Sequence, residues 1–504
     1  MTPPAKDRFE VIDRYQIDKP DQLIVHYCED CACPITVPLQ PQSTAPEMVD
    51  VEMAYGVAPE LRSEPLTENY WSVFNPTGNH GVVVLNRAAM GLLERFTRPA
   101  TLSQEAAYFS GSANAGETLN RLIRLGILQK PGDLQKPDVS PQKVLTVWLH
   151  ITNQCNLRCT YCYVNKTNDS MSLSVGQKAI DASIRAALSG DYQALKLKYA
   201  GGEASLETER VFQIHDYAVD ASRNHKLDVQ AVILSNGTLF KENAIEGLKR
   251  RGIKVMVSLD GLGREHDAQR PFRGGQSSAA RVIENIDRLM EKGLPPHLSI
   301  TISDRNCDTI GEVIDFALAR NLTFSLNFYR ENDCSAAFPE LQYSEKKMID
   351  GLLKAFQKIE QNLPSWSVAG CILDRGQLIT PQEQSACGVA RDYMVIDHHG
   401  RISKCHMEMD QVIADVDHPN PLRMMRQASI GVQNPAVDEK EGCRDCEWRY
   451  WCTGGCPVAT YRATGRYDIK SPNCNIYKAI YPAAVRLEGL RLLKLAKLNG
   501  SIQG

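Results

Sequence analysis

A run of alternating strand-like and helix-like segments between residues 143 and 340 most constrains how this chain can fold. Six apolar, mostly β-branched stretches stand out there: "VLTVWLHIT", "LKLKYAG", "VQAVILSN", "IKVMVSLDG", "HLSITIS" and "TFSLNFY". Helical patterns separate them. One of these, over 174–189, places Ile180, Ile184, Ala187 and Leu188 on one face and ends at Gly190. Six such repeats predict an α/β fold whose parallel sheet curls into a partial (β/α)6 TIM-like barrel. On that fold, chemistry gathers at the C-terminal ends of the strands. Four polar or glycine-rich motifs fall there. "CNLRCTYC" follows the first strand, "GGE" ends the second, "SNG" the third and "SLDG" the fourth.

The chain has 504 residues, 43% hydrophobic and 23% charged, which suits a globular protein of several domains. A net charge of -3 argues against a nucleic-acid partner. The polar N-terminus lacks the apolar core of a secretory signal. No run of eighteen apolar residues suggests a membrane span, so a cytoplasmic enzyme is expected. The sixteen cysteines are the anomaly. In a reducing compartment, clustered cysteines are more often metal ligands or catalytic groups than disulfides. Three lie at 28–33, three at 155–162 and seven from Cys387 to Cys474, with Cys307, Cys334 and Cys371 scattered between.

Cys155, Cys159 and Cys162 have gaps of three and two residues. A zinc site or disulfides would favour an even number. Three thiolates can instead hold three irons of a [4Fe–4S] cube and leave the fourth open to a ligand. Cys-x-x-x-Cys-x-x-Cys after the first strand, with Tyr161 before the third cysteine, resembles the radical S-adenosylmethionine (SAM) superfamily. The resemblance spans roughly residues 143–340. It implies one [4Fe–4S] cluster at Cys155, Cys159 and Cys162, with SAM chelating the open iron. It also implies reductive cleavage of SAM to a 5′-deoxyadenosyl radical that takes a hydrogen atom from the substrate. Gly201, Gly202 and Glu203 match the motif whose backbone meets SAM's amino group; Glu203 adds an acceptor. Ser258 and Asp260 match the strand end that faces the ribose. Asn236 and Arg270 are weaker matches, with a turn residue and a surface ion pair as their ordinary readings.

The second field reads Cys387-x12-Gly400-x4-Cys405, then Cys443-x2-Cys446-x5-Cys452-x3-Cys456, then Cys474. By spacing alone, structural zinc is open. The pattern resembles the SPASM extension of radical SAM enzymes, which implies two auxiliary iron–sulfur clusters, expected to be [4Fe–4S]. Carried over, Cys443, Cys446, Cys452 and Cys474 hold one. Cys387, Cys405 and Cys456 hold the other, with Cys371 as its fourth ligand or an open iron in its place. Enzymes of this type mostly act on peptides and proteins. The sulfatase-maturing branch has a basic Asp after the second SPASM cysteine. Here that position is His406, which argues against that branch but leaves His406 as a candidate base.

The expected domains follow. Residues 1–65 are an irregular extension. Residues 66–131, with a hairpin ("YWSVFNP", "GVVVLN") and then helices, resemble the winged-helix unit that binds the leader of a precursor peptide by strand addition. Residues 132–142 are a linker, 143–340 the radical SAM barrel and 341–370 a connecting segment with a helix over 344–364. Residues 371–478 are the SPASM region, and 479–504 an amphipathic helix packed on the body. The expected function is radical modification of a ribosomally made precursor peptide, by crosslink, thioether, epimerisation or excision. A flavodoxin- or ferredoxin-like electron donor is the expected partner. Oxidation of a protein residue, and a non-catalytic electron carrier, are the alternatives. "CEDCAC", with Cys28, Cys31 and Cys33, is left unassigned.

Overall fold

The computed structural model describes residues 8–17, 24–27, 34–37, 50–78, 80–108, 114–132, 143–378 and 382–502. Cys28, Cys31 and Cys33, and most of the expected linker, lie outside them.

All six expected strands form: β1 (Val144–Thr152), β2 (Ala194–Gly201), β3 (Asp228–Ser235), β4 (Lys254–Ser258), β5 (His297–Ile302) and β6 (Phe324–Phe328). Each pairs in parallel with its neighbour in sequence order. β1 and β2 are buried nearly throughout, which is why they read as continuous apolar runs rather than alternating ones. Helices α1 (Leu173–Ser189), α2 (Thr208–Arg223), α3 (Glu242–Arg250), α4 (Ala279–Glu291) and α5 (Ile310–Ala319) fill the crossovers. The Ser172 hydroxyl starts α1 by accepting from Val175 N. Ile180, Ile184 and Ala187 are buried as expected, but Leu188 is 45% exposed. The buried stripe of α1 runs through Ala179, Ala182, Ser183 and Ala186, and Leu188 falls beyond its edge.

The sheet does not stop at β1. β7 (Tyr393–Ile396) pairs in parallel with β1 on its other side, Thr146 opposite Tyr393. β8 (Arg401–Ser403) and β9 (Val412–Asp415) continue it antiparallel. The result is a nine-stranded sheet in the order β6-β5-β4-β3-β2-β1-β7-β8-β9. Its two edges do not pair with each other among the described residues, so the sheet is open, and its six parallel strands are consistent with a TIM-like core. The cysteine-rich region is thus grafted onto the first strand, the one that launches "CNLRCTYC".

The hairpin expected in the N-terminal unit is present: Tyr70–Phe74 pairs antiparallel with Val83–Asn86, Val73 opposite Val83. Helices Arg87–Glu94, Leu102–Tyr108 and Ala115–Arg124 follow. One correction concerns residues 1–65. Val11–Asp13 and Arg62–Pro65 complete the hairpin's sheet on either side. Ala54–Val57 pairs with Ala100–Thr101 and Leu128–Gln129. Those within residues 1–65 are three or four residues long, too short for an apolar run or an alternation to stand out. The unit packs on the cysteine-rich region. Phe74 stacks on Trp448 at 5.6 Å, and Trp451 Nε1 donates to Pro76 O at 2.7 Å.

Helix α6 (Glu345–Gln361) begins at the Ser344 cap. The last helix, α7 (Cys474–Leu498), starts five residues before the expected boundary, so Cys474 is its first residue. It packs on the body. Arg491 is fully buried and bonded to Glu488 Oε1 at 2.6 Å.

Candidate functional site

The cysteine loop leaves β1 and is braced on three sides. From β2, Gly202 N donates to Thr152 O at 2.6 Å and Glu203 N to Gln154 O at 2.8 Å. A Cβ at Gly201 would collide with Thr152 O, and one at Gly202 with Gln154 O. The paired glycines are therefore required for β2 to close on the loop. From β3, Asn236 Nδ2 lies 3.8 Å from Cys155 Sγ and donates to Asn156 Oδ1 at 2.8 Å. From the segment after β4, Thr160 N donates to Gln269 O, Arg158 N to Pro271 O and Arg273 N to Asn156 O.

Glu203 is buried, and both its oxygens are engaged. Oε1 accepts from Ser205 N at 3.0 Å and Oε2 from Asn236 N at 2.6 Å. Burial pushes its carboxyl up, and those hydrogen bonds pull it back. It ties the ends of β2 and β3 together, a different task from the extra acceptor expected of it. Asp260 is also placed differently from expectation. It is wholly buried, with Oδ2 accepting from Tyr161 OH at 2.6 Å and Oδ1 from Thr301 N at 2.8 Å. Arg270 donates to the same Tyr161 hydroxyl and lies 3.8 Å from Asp260. Arg270 is 7% exposed, so it is not a surface ion pair. Tyr161, Asp260 and Arg270 form a buried knot that holds the loop between its second and third cysteines. Ser258 stays half-buried at the end of β4.

The three thiols are all partly accessible and none is in a disulfide. Lys166 Nζ lies 2.6 Å from Cys162 Sγ. Burial pushes the Cys159 thiol up to about 12, with Arg270 opposing. Among the described residues no three His, Cys, Asp or Glu side chains close on a single-ion site. The thiolates of a cube each hold a different iron, so their Sγ atoms need not converge on one point. Three unpaired thiols on one rigid loop suit such a group.

The second field separates into two places. Cys443, Cys446, Cys452 and Cys474 line one pocket, together with Trp448, Tyr477 and Tyr481. Four soft donors around one apolar-walled space are the donor set of an iron–sulfur cluster. Cys387, Cys405 and Cys456 pack in another cluster, against Trp148 of β1 and Tyr393 and Val395 of β7. Cys371 lies in the main core beside Ile372 and Leu373, with its thiol 3.1 Å from Val368 O. The two places differ in charge. Burial pushes Cys443 up to about 11 and Cys452 up to about 12. Cys456 is pushed up by burial too, but Arg330 and Arg375 outweigh that, and its thiol ends below the ordinary value.

His406 sits between the two regions. It is buried, stacked on Trp148 at 4.5 Å, with Nδ1 2.9 Å from Tyr393 OH. Burial, reinforced by Arg375 and Lys198, holds it well below the usual histidine range. The imidazole is neutral at neutral pH. Sequence reasoning missed Lys166 and Asn156. Only Lys166 left a signal, a lone cation four residues past the trio.

Residues 149–317, from β1 to within α5, match the radical SAM superfamily. A 240-residue stretch is 28% identical to an uncharacterised protein of Methanocaldococcus jannaschii, covering 47% of this chain and 80% of that one. The sporulation killing factor maturation protein SkfB of Bacillus subtilis is 27% identical over 168 residues, covering 33% of this chain and 38% of SkfB. Among solved structures, native anSMEcpe with bound AdoMet and Cp18Cys peptide aligns with a TM-score of 0.54 at 17% identity, covering 72% of this chain and 100% of that one. At that identity the likeness is one of fold. Residues 149–317 therefore carry a radical SAM domain, and these likenesses support a SPASM-type, peptide-maturase-like relationship.

Proposed function

We propose that the chain is a radical SAM enzyme that modifies a ribosomally made precursor peptide. The observation that carries this reading is the pairing of two thiol sets on one sheet. Cys155, Cys159 and Cys162 open at the end of β1, and Cys387, Cys405 and Cys456 pack on Trp148 in the middle of that strand. SkfB is named as a maturation protein and anSMEcpe was solved with a peptide bound; both support a peptide substrate here. When bound, SAM on a [4Fe–4S] cluster supplies a radical able to take a hydrogen atom from an unactivated carbon.

The chain's own residues do the rest. Cys155, Cys159 and Cys162 hold the cluster, and Lys166 places a cation against Cys162. Gly201 and Gly202 bring the β2 backbone to the rim, where its carbonyls can accept from SAM's amino group. Ser258 offers a hydroxyl from β4. Glu203 and Asn236, and the knot of Tyr161, Asp260 and Arg270, keep the loop rigid, so the thiols are set before any ligand arrives. His406 is neutral and oriented by Tyr393, which leaves Nε2 to take a proton from the substrate. Cys443, Cys446, Cys452 and Cys474 would hold one auxiliary cluster and Cys387, Cys405 and Cys456 another, groups that would supply one-electron redox chemistry. The N-terminal sheet, with Arg62–Pro65 as an edge strand, is the surface to receive a leader peptide by strand addition.

The test is a mass measurement. The protein is co-expressed without oxygen beside the small open reading frames next to its gene, and each peptide is weighed. Loss of two hydrogens marks a crosslink or thioether, an unchanged mass with deuterium uptake marks epimerisation, and a larger loss marks excision. An unchanged set of peptides, while a protein substrate is oxidised, would favour the sulfatase-maturase type of reaction instead.

A further inference from the structure

His150 and His398 are buried side by side, with three of their four ring nitrogens lacking a hydrogen-bond partner among the described residues. His150 is wholly buried, His398 is 8% exposed, and their ring centres lie 5.9 Å apart. The unengaged atoms are His150 Nδ1 and both nitrogens of His398. Buried polar groups are rarely left so. His150 lies on the face that carries the candidate site. Trp148 and His150 are alternate residues of β1 and so share one side of the sheet, while Val147, Leu149 and Ile151 point into the main core. Trp148 stacks on His406, and Tyr163, the residue after Cys162, lies 5.5 Å from the same imidazole. Ala200 stands opposite His150 on β2, so β2 offers only a methyl group there.

The surrounding bonds fix the tautomer of His150. Thr167 donates its one hydroxyl proton to Asp169 Oδ2 at 2.6 Å, so its oxygen can only accept from Asn153 Nδ2, at 3.0 Å. That sets the Asn153 carboxamide, with Oδ1 turned to His150 Nε2 at 2.7 Å. A carbonyl oxygen accepts, so the His150 proton lies on Nε2 and Nδ1 carries a bare lone pair. The ring is bonded to an amide and not to a carboxylate, and burial pushes it down from 6.5 to about 4, so it stays neutral. Nδ1 is thus an acceptor that needs a donor. Burial lowers His398 as well, and a neutral imidazole offers one donor and one acceptor. The turn that carries His398 is held in place: Asp397 Oδ1 accepts from His399 N and from Arg401 N, each at 2.9 Å.

Resting on the reading that the substrate is a peptide, we propose that His150 and His398 form a subsite for the backbone of one residue in the segment being modified. The backbone N–H of that residue donates to His150 Nδ1, and its carbonyl accepts from the ring N–H of His398. In an extended chain the N–H and C=O of one residue point to the same side, so a single residue can engage both rings. Other groups fit less well. A carboxylate brings no donor for Nδ1. An ammonium would meet basic side chains: Lys198, opposite Trp148 on β2, is buried with Nζ 5.4 Å from the Tyr393 ring. Recognition of backbone leaves the side chain free to vary. It also holds the segment in one register against the sheet, which hydrogen abstraction at a single carbon requires.

The probe is the peptide whose mass changes on co-expression, made synthetically. Each backbone amide near the modified residue is replaced in turn by an ester, which deletes the N–H and keeps the carbonyl. Affinity for the full chain, loaded with clusters and SAM but without reductant, is read by calorimetry. One ester position should weaken binding to the parent about tenfold, the expected effect of leaving one buried acceptor unpaired. His150→Phe should bind the amide peptide about tenfold more weakly than the parent does and no longer distinguish that ester from the amide. His398→Phe should weaken both peptides and keep the distinction. Esters that all bind the parent like the amide, or a His150→Phe protein that keeps the distinction, would overturn the proposal. If His150→Phe does not fold, a crystal structure of the parent with the peptide decides. A backbone N–H within about 3.2 Å of His150 Nδ1 supports the subsite, and a water molecule or a peptide side chain in that place overturns it. If no peptide changes mass, the peptide reading falls and the subsite falls with it, whereas a modified peptide with no sensitive ester sinks the subsite alone.

Discussion

Cys155, Cys159 and Cys162 come from eight residues of one loop, while the cysteines from Cys387 to Cys474 are gathered from turns, short strands and the start of α7. The first trio is held by the barrel: β2 and the segment after β4 make backbone hydrogen bonds to that loop, and the end of β3 reaches it through the side chains of Asn236 and Thr238. The second field is held by packing, with Trp148, Tyr393 and Val395 around one set and Trp448, Tyr477 and Tyr481 around the other. A site built on a rigid rim is organised before its ligand arrives. A site assembled from distant turns depends on whatever fills it, because binding free energy there is also folding free energy.

That difference can be broken most sharply at the first trio. Cys159→Ala should abolish formation of 5′-deoxyadenosine while leaving the fold in place, because the barrel and not the cluster holds the loop. Product assay and thermal denaturation check the two halves of that statement. Full activity would sink the radical reading. In contrast, Cys446→Ala should remove about four irons per chain and also lower the thermal midpoint, since its cavity lies where α7, Trp448 and the N-terminal unit meet. Iron analysis and a melting curve on the same sample test this. An unchanged midpoint would mean that packing alone holds the region.

Cys371 sharpens the comparison from the other side. Its thiol lies 3.1 Å from Val368 O, packed in the main core. Cys371→Ala should therefore leave the iron content within error of the parent and cost only the loss of a small buried side chain. A loss of cluster signal would restore it as the fourth ligand.

Much of this was legible in the sequence, and the reasons differ by region. The six strands of the parallel sheet announced themselves because buried strands are long apolar runs. The trio announced itself because all three thiols lie on one loop, so spacing carries the geometry. The roles of Glu203 and Asp260 were not legible. A carboxylate at a strand end reads the same whether it points to a ligand or, as here, to Asn236 N or Tyr161 OH. The added strands β7 to β9 were hidden because they are short, and a pairing with β1 across more than 240 residues leaves no local signal.

The knot behind the trio gives the next effect in size. Arg270→Met leaves Asp260 wholly buried with its cation gone, and breaking such a pair by removing one partner costs about 3–5 kcal/mol. The double change with Asp260→Asn should recover part of this, since the second change removes the stranded charge. Denaturant unfolding of both variants measures it. No recovery in the double variant would show that the lost hydrogen bond to Tyr161, and not the stranded charge, dominates.

The smallest expected effect tests whether the barrel, rather than the cysteine field, sets acid stability. His297 on β5 is 3% exposed, with Nδ1 2.9 Å from Thr323 Oγ1 and Nε2 3.1 Å from Ser325 Oγ. Burial pushes it down from 6.5 to about 3. The folded chain therefore keeps the ring neutral while the unfolded chain protonates it, and between those two values the unfolded state binds more protons. Stability from this group is fully present above pH 6.5 and is lost as the pH falls toward 3. The slope approaches about 1.4 kcal/mol per pH unit, or about 1 kcal/mol between pH 6.5 and 5.5. His297→Gln should flatten the dependence of the thermal midpoint on pH over that interval by this amount, relative to the parent under identical cluster loading. Identical slopes for parent and variant would show that His297 is protonated in both states or in neither. The acid sensitivity would then belong to the cysteine field, where buried thiols such as Cys452 must lose a proton before they can bind iron.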